Sequence, residues 1–263
     1  MTDINKDKVD IFAVAKRAKV SISTVSRSFN HPDLVNLATR KKIDTAVRKL
    51  GYIRNRAAQT MHGIRSGTIG LVVPTIDHAI FAEVIQAFSD SVDEHGFTIL
   101  IASHGYDLER EYAVLRKFLE HRVDGVALIG EDHSEETYDL IERQDIHAIS
   151  LWNYNEDSRL SCVGSDNKLA GNLAAQHLID LGHLKIGLVF PPTVDNDRAR
   201  DRRNGAQSVL TKGGAQVYPQ WDIESTYSIA DAKDAALRIL KTEHRPSAIL
   251  CGNDVLAMGV LYA

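Results

Sequence analysis

Cysteine is scarce in this chain of 263 residues: Cys162 and Cys251 are too few to build a disulfide framework. Long apolar runs are missing too. The longest stretches, such as IGLVVP and GVALIG, fall far short of the roughly 20 residues a membrane-spanning helix needs. The first ten residues, MTDINKDKVD, are charged and lack the apolar segment of a secretory signal. Together these absences exclude a disulfide-stapled secreted scaffold and a helical membrane protein, and they predict a reducing, cytoplasmic setting with no membrane partner. What is present is ordinary for a globular chain: 44% hydrophobic, 25% charged and 6% aromatic residues exclude disorder, collagen and coiled coil as the main state. At roughly 100 to 200 residues per domain, the length predicts two domains or one with an appendage.

A net charge of -4 conceals a polar division. Residues 1–65 carry 14 Lys and Arg against five Asp and no Glu, a balance of +9, which leaves 17 cations against 30 carboxylates, or -13, for the rest. A basic head on an acidic body is the footprint of a polyanion-binding module joined to an unrelated domain, although charge alone also admits a solvated basic tail.

Periodicity predicts that the head is folded. Ile11, Val14, Ala15 and Ala18 recur at helical spacing behind Asp10 as N-cap, with Val9 placed to staple onto Val14. A second short helix begins near Ser21 or Ile22 with Val25 and Phe29 on one face, and His31-Pro32-Asp33 ends it. From Asn36 a third repeats Leu37, Ile43, Val47 and Leu50 up to a C-capping Gly51. This is a helix-turn-helix unit. A recognition helix in the major groove exposes short polar or small apolar side chains near its N-terminus. Ile22, Ser23 and Arg27 fit that role: Arg27 for guanine O6 and N7, Ile22 for a thymine methyl, with Thr24 and Ser26 suited to phosphate oxygens. Taken singly, Arg27 reads more readily as a solvated cation than as a base-reading residue.

Beyond Gly67 the pattern becomes strand-helix alternation. TIGLVVP, FTILIAS, DGVALIG and HAISLWN are strand-like, and helices are expected near 82–94, 109–121 and 135–143. A second series runs through CVGSD, a helix over 168–181, KIGLVF, a helix over 202–213, a strand near 223–227, a further helix and AILCGN. Such alternation dictates an α/β body of two doubly wound parallel lobes with a cleft at the carboxyl ends of their strands. The expected boundaries are 1–54 for the head, 55–66 for a hinge too short to be helical without a partner, 67–165 for the N-terminal lobe and 166–263 for the C-terminal lobe.

Enzyme motifs are absent: no GxGxxG after the first strand, no GxxxxGK[ST], no GxSxG and no HExxH. His177 and His183 stand six residues apart and do not share a helical face, and Glu135-Glu136 reads as a solvated helix start. No catalytic residue, cofactor or metal is expected. A stand-alone small-molecule binder and a doubly wound enzyme using the cleft are the competing classes. Salt-dependent binding to duplex DNA separates both from a DNA-binding regulator.

The segments VAKRAKVSISTVSRSFN and LATRKKIDTAVRKLGYIRNRAAQTMHG, followed by FAEVIQAF, HRVDGVALI, DNKLAGNLAAQHLIDLGHLKIGLV, RDRRNGA and RPSAILCGNDVLAMG, resemble the lactose and galactose repressor family over nearly the whole chain from Val9. The resemblance implies a repressor that binds double-stranded operator DNA as a homodimer, with a periplasmic-binding-protein-like body holding a small, sugar-like effector between its lobes. It implies base reading by Ile22, Ser23 and Arg27, and a hinge at 55–61 in which Asn55 and Arg56 meet DNA and Met61 is an apolar wedge. For the effector it implies Phe81, Trp152, Asp166, Arg202 and Asn253, although composition alone leaves the two aromatics readable as core and Arg202 as a surface cation in DNDRARDRR. Lys19 stands where the family usually has a turn glycine, a left-handed position that costs about 1 kcal/mol. Arg54 replaces a proline, adding a phosphate-binding charge and removing a rigid stop at the hinge. The chain ends inside the helix after AILCGN, where the family continues, so an unstable C-terminal lobe that binds effector poorly and associates non-specifically is expected of these 263 residues alone.

Overall fold

The computed structural model describes residues 9–54 and 65–263, which group into two compact units meeting at Ser66 and Gly67. Asn55, Arg56 and Met61 of the expected hinge lie outside the described residues.

In the first unit, α1 (Ile11–Ala18), α2 (Ile22–Asn30) and α3 (Leu37–Leu50) are each opened by a side-chain cap. Asp10 accepts from Ala13 N at 2.8 Å, Ser21 from Thr24 N at 3.1 Å and Asn36 from Thr39 N at 2.8 Å. Between α1 and α2, Lys19 adopts φ 55°, ψ 48°, the left-handed state its position demands. Val14, Ala15, Ala18, Val25, Ile43 and Ala46 form the buried core. Leu37 is not part of it: 70% exposed in the first turn of α3, it corrects the expectation that it shares the face of Ile43. The polar run after it carries the core-facing side to Ile43 and Ala46 instead.

The second unit holds two parallel sheets. β1 (Thr68–Val73), α4 (Ala79–Glu94), β2 (Thr98–Ser103), α5 (Leu108–Glu120), β3 (Gly125–Ile129), α6 (Glu135–Arg143), β4 (His147–Asn153) and β5 (Ser161–Ser165) build the first, in strand order β2-β1-β3-β4-β5. α7 (Asn167–Asp180), β6 (Ile186–Phe190), α8 (Asp197–Lys212), β7 (Asp222–Glu224), α9 (Ile229–Leu240), β8 (Ala248–Cys251) and α10 (Asp254–Leu261) build the second, in order β7-β6-β8. Strand periodicity divides each core between two faces. Val72, Val126 and Leu128 pack with Leu115 and Phe118 on one side of the first sheet, while Leu71, Val73, Ala127 and Ile129 pack with Phe81 on the other. Likewise Ile186, Leu188 and Phe190 face Ala206 and Leu210, and Val189 faces Trp221 and Ile239.

α8 begins at Asp197 rather than at Arg202 as the sequence suggested, because Asn196 caps it and the charged run DRARD is absorbed by contacts across the cleft. It lies against α7 with almost no space between backbones. A Cβ on Gly205 would sit 2.1 Å from Lys168 O, and one on Gly171 2.0 Å from Arg202 O. This seam places Arg202 and Asn167 side by side. Among the described residues no helix is long and apolar enough to cross a membrane, and no cluster of three or more His, Cys, Asp and Glu is arranged to hold a metal ion.

Candidate functional site

The head presents a polar surface on α2. Val25 is fully buried, which turns Ile22 (39% exposed), Ser23 and Arg27 outward, with Thr24 and Ser26 half-buried beside them. The Ser21 hydroxyl lies 2.8 Å from that of Ser23 and 2.7 Å from that of Thr24, so the helix start is held rigid. A depression nearby gathers Arg17, Lys19, Lys41, Lys42 and Lys49, a density of cations suited to a phosphate backbone. Arg54 behaves differently from expectation. Its guanidinium donates to Asn30 Oδ1 and lies 5.5 Å over the Phe29 ring, so its charge is engaged by the end of α2 and anchors the exit of the head in place of the rigid stop.

In the second unit a cavity of about 570 Å³ opens where the carboxyl ends of both sheets meet. Its walls are rings from both lobes. Phe81 and Trp152 pack at 5.0 Å between centroids, His78 lies 5.3 Å from Tyr227, and Tyr106 stacks on Tyr227 at 6.0 Å and 14°. Trp152 (φ 81°) and Tyr106 (φ 62°) occupy left-handed backbone states, which cost about 1 to 3 kcal/mol each and are held by the packing around them. Burial raises the Tyr106 phenol above its ordinary range, so it stays a neutral donor.

Two arginines enter the same space. Arg202 donates from Nε to Gly252 O at 3.0 Å and from Nη1 to Asn167 Oδ1. Burial lowers its pKa from the ordinary arginine value. Arg198, 6% exposed, pairs with Asp197 at 2.5 Å and donates to Ile129 O at 3.2 Å. Asp197 is a joint between lobes: its carboxylate also accepts from Glu131 N at 2.8 Å and from Asn153 Nδ2 at 2.9 Å. Asn167 then donates to Asn153 Oδ1 at 2.9 Å and to Trp152 O at 3.3 Å. Gly130, at φ 85°, leaves room for this joint, since a Cβ there would lie 1.9 Å from Arg198 Nη1.

Of the expected effector residues, Phe81, Trp152, Arg202 and Asn253 come together around this cavity. Asp166 does not. It is exposed, and its carboxylate caps α7 by accepting from Leu169 N at 2.8 Å. The neighbouring Asn167, 4% exposed, faces inward instead, because one residue of helix rotates a side chain by about 100°. Sequence reasoning missed His78, Tyr106, Arg198 and Tyr227. Arg198 and Asp197 sat inside a charge run that reads as solvent-facing, and nothing local marks the loop positions of Tyr106 and Tyr227.

Residues 66–263 match the family described as periplasmic binding proteins and sugar binding domain of the LacI family, and residues 11–55 match the bacterial regulatory proteins, lacI family. The HTH-type transcriptional repressor PurR of Photobacterium profundum is 30% identical over 249 residues, covering 94% of this chain and 74% of its own. Catabolite control protein A of Priestia megaterium is 26% identical over 254 residues, 97% of this chain and 76% of its own. Among solved structures, the lac repressor dimer bound to operator and the anti-inducer ONPF superposes with a TM-score of 0.82 at 25% identity, over 98% of this chain and 77% of that one. The chain thus spans about three quarters of the length of these relatives.

Proposed function

The chain belongs to the lacI family of bacterial regulatory proteins, and from that membership we propose that it represses transcription from a pseudo-palindromic operator as a homodimer, in the cytoplasm, under control of a small effector held in the cleft. It is a DNA-binding regulator, not an enzyme. The observation that carries the proposal is the outward face of α2, where Ile22, Ser23 and Arg27 are exposed on a helix fixed by its Ser21 cap, in the segment matched to the regulatory family. In this reading Arg27 takes guanine O6 and N7, Ile22 packs on a thymine methyl, and Thr24 and Ser26 bond phosphates. Asn55, Arg56 and Met61 form the hinge, Met61 prying open a central base step; this rests on the family resemblance alone.

The effector is a polar, hydroxyl-rich molecule related to a sugar. Five rings offer stacking faces, Arg202 and Asn253 offer hydrogen bonds, and a cavity of about 570 Å³ is the size of a small-ligand site. Fluorescence anisotropy on duplex DNA tests the regulator reading. Affinity should fall steeply with salt, and Arg27→Ala should cost about 1 to 3 kcal/mol on the best site while leaving non-specific binding nearly unchanged. An unaltered sequence preference in that variant refutes the assignment of Arg27. Release or strengthening of the complex by a sugar-like compound tests the effector reading.

A further inference from the structure

Most of the positive charge of the head lies away from α2. Of the ten Lys and Arg in residues 9–54, α2 holds one, Arg27, while α3 holds five. Arg17, Lys19, Lys41, Lys42 and Lys49, all exposed, surround a depression of about 690 Å³ whose floor is Ala18, Thr45 and Ala46. That lining comes from α1, its C-cap and α3, with no residue of α2. Val25 of α2 packs into the core against the inner sides of α1 and α3, so the groove on their outer side opens away from α2. The outward residues Ile22, Ser23 and Arg27 and the depression therefore face opposite ways. None of the three carboxylates in residues 9–54, Asp10, Asp33 and Asp44, lines it. Lys19 adds a second, independent sign. Its left-handed backbone costs a residue other than glycine about 1 kcal/mol, yet the position holds a lysine whose exposed side chain lines this groove. Backbone strain of that kind collects at binding sites, where the side chain it carries is put to use.

Resting on the reading of α2 as the base-reading helix, we propose that the groove between α1 and α3 binds the phosphate backbone of a second DNA duplex, so that the protein holds two segments of DNA at once. Lys42 and Lys49 stand two turns apart on one face of α3, about 10.5 Å along its axis, a length over which one strand of a duplex presents about three phosphates. The alanine floor lets a backbone approach closely between the flanking cations. It also distinguishes the partner: the groove has no aromatic or large apolar residue in its lining, the kind of anchor on which protein interfaces depend. Ammonium contacts to phosphate carry no sequence information, so the second duplex is of any sequence. A protein bound at its site through α2 then tethers passing DNA and raises the local concentration of that segment.

The test uses the full chain. A duplex carrying the best site selected from a random pool is immobilised and loaded with protein, and capture of a second, labelled duplex of mixed sequence is measured against salt, with poly-glutamate as the competing probe. The second duplex should be captured with a slope of log affinity against log salt of about -4 to -5, as five phosphate contacts give. Lys42→Gln with Lys49→Gln should lower capture at least about tenfold and reduce that slope by about 2, while affinity for the selected site changes by at most about twofold. The salt slope is read on the unaltered protein and stands whatever the variant does to folding. Absence of capture, capture that survives the double substitution, or an equal loss of selected-site affinity each overturns the proposal, the last because both faces then lie on one duplex. Poly-glutamate bound in preference to the duplex overturns it in favour of an acidic protein partner. All four results leave the reading of α2 standing. A random pool that yields no preferred site overturns that reading and the proposal together.

Discussion

Replacing Asp197 by Ala isolates the energy of the joint between the lobes. The carboxylate is 3% exposed and its partner Arg198 7%, so solvent screening offers little relief to the charge left behind. Breaking a buried pair from one side costs about 3 to 5 kcal/mol, and here Glu131 N and Asn153 Nδ2 also lose an acceptor. Taking roughly 4 kcal/mol, and about 2 to 4 °C per kcal/mol for a unit of this size, the midpoint of thermal unfolding should fall by about 8 to 16 °C. If the loss comes from the stranded guanidinium, removing it too should restore stability: Asp197→Ala with Arg198→Met should melt above Asp197→Ala alone, although two charges are now gone. Calorimetry on the three proteins gives both numbers. A drop of under about 1 kcal/mol, or a double variant no better than the single one, refutes the view that Asp197 neutralises a buried cation.

Lys19→Gly removes a side chain from a left-handed turn residue and should stabilise the head by about 1 kcal/mol in urea titration; no change means the turn is relaxed with lysine. Gly205→Val forces side-chain carbons against Lys168 O, so it should destabilise the second unit by at least about 1 to 3 kcal/mol and disturb the seat of Arg202; wild-type melting contradicts the closeness of the α7–α8 seam. Desolvation lowers the pKa of His104, which is 3% exposed, below 6.5, so the unfolded chain binds the proton more readily than the folded one. Its contribution is therefore intact above pH 6.5 and is lost as the pH falls through the folded value; His104→Gln should flatten that acid limb of the stability profile, and an unchanged limb assigns it to other groups.

How much was legible depends on how far apart in the chain the deciding atoms lie. Asp10, Ser21, Asn36 and Gly51 marked the ends of the head helices correctly because a cap bonds a backbone group within three or four residues, information carried wholly by local order. The short, β-branched apolar runs IGLVV and GVALI likewise marked strands of the body, and once they are strands the pleat sends alternate side chains to opposite faces. The exposed triad on α2 followed from its period against a buried Val25. Facing beyond the element did not follow. Asp166 and Asn167 are both polar, adjacent and at the start of one helix, yet only Asn167 meets Asn153 and Arg202, through contacts that exist once α7 lies on α8. Asp197 and Arg198 read as surface charges until Asn153 and Glu131, 44 and 66 residues away, fold back over them. Local sequence thus determined the elements and their capped ends, because those energies are short-ranged. Tertiary structure alone decided which polar groups are desolvated, because burial depends on segments that sequence order keeps apart.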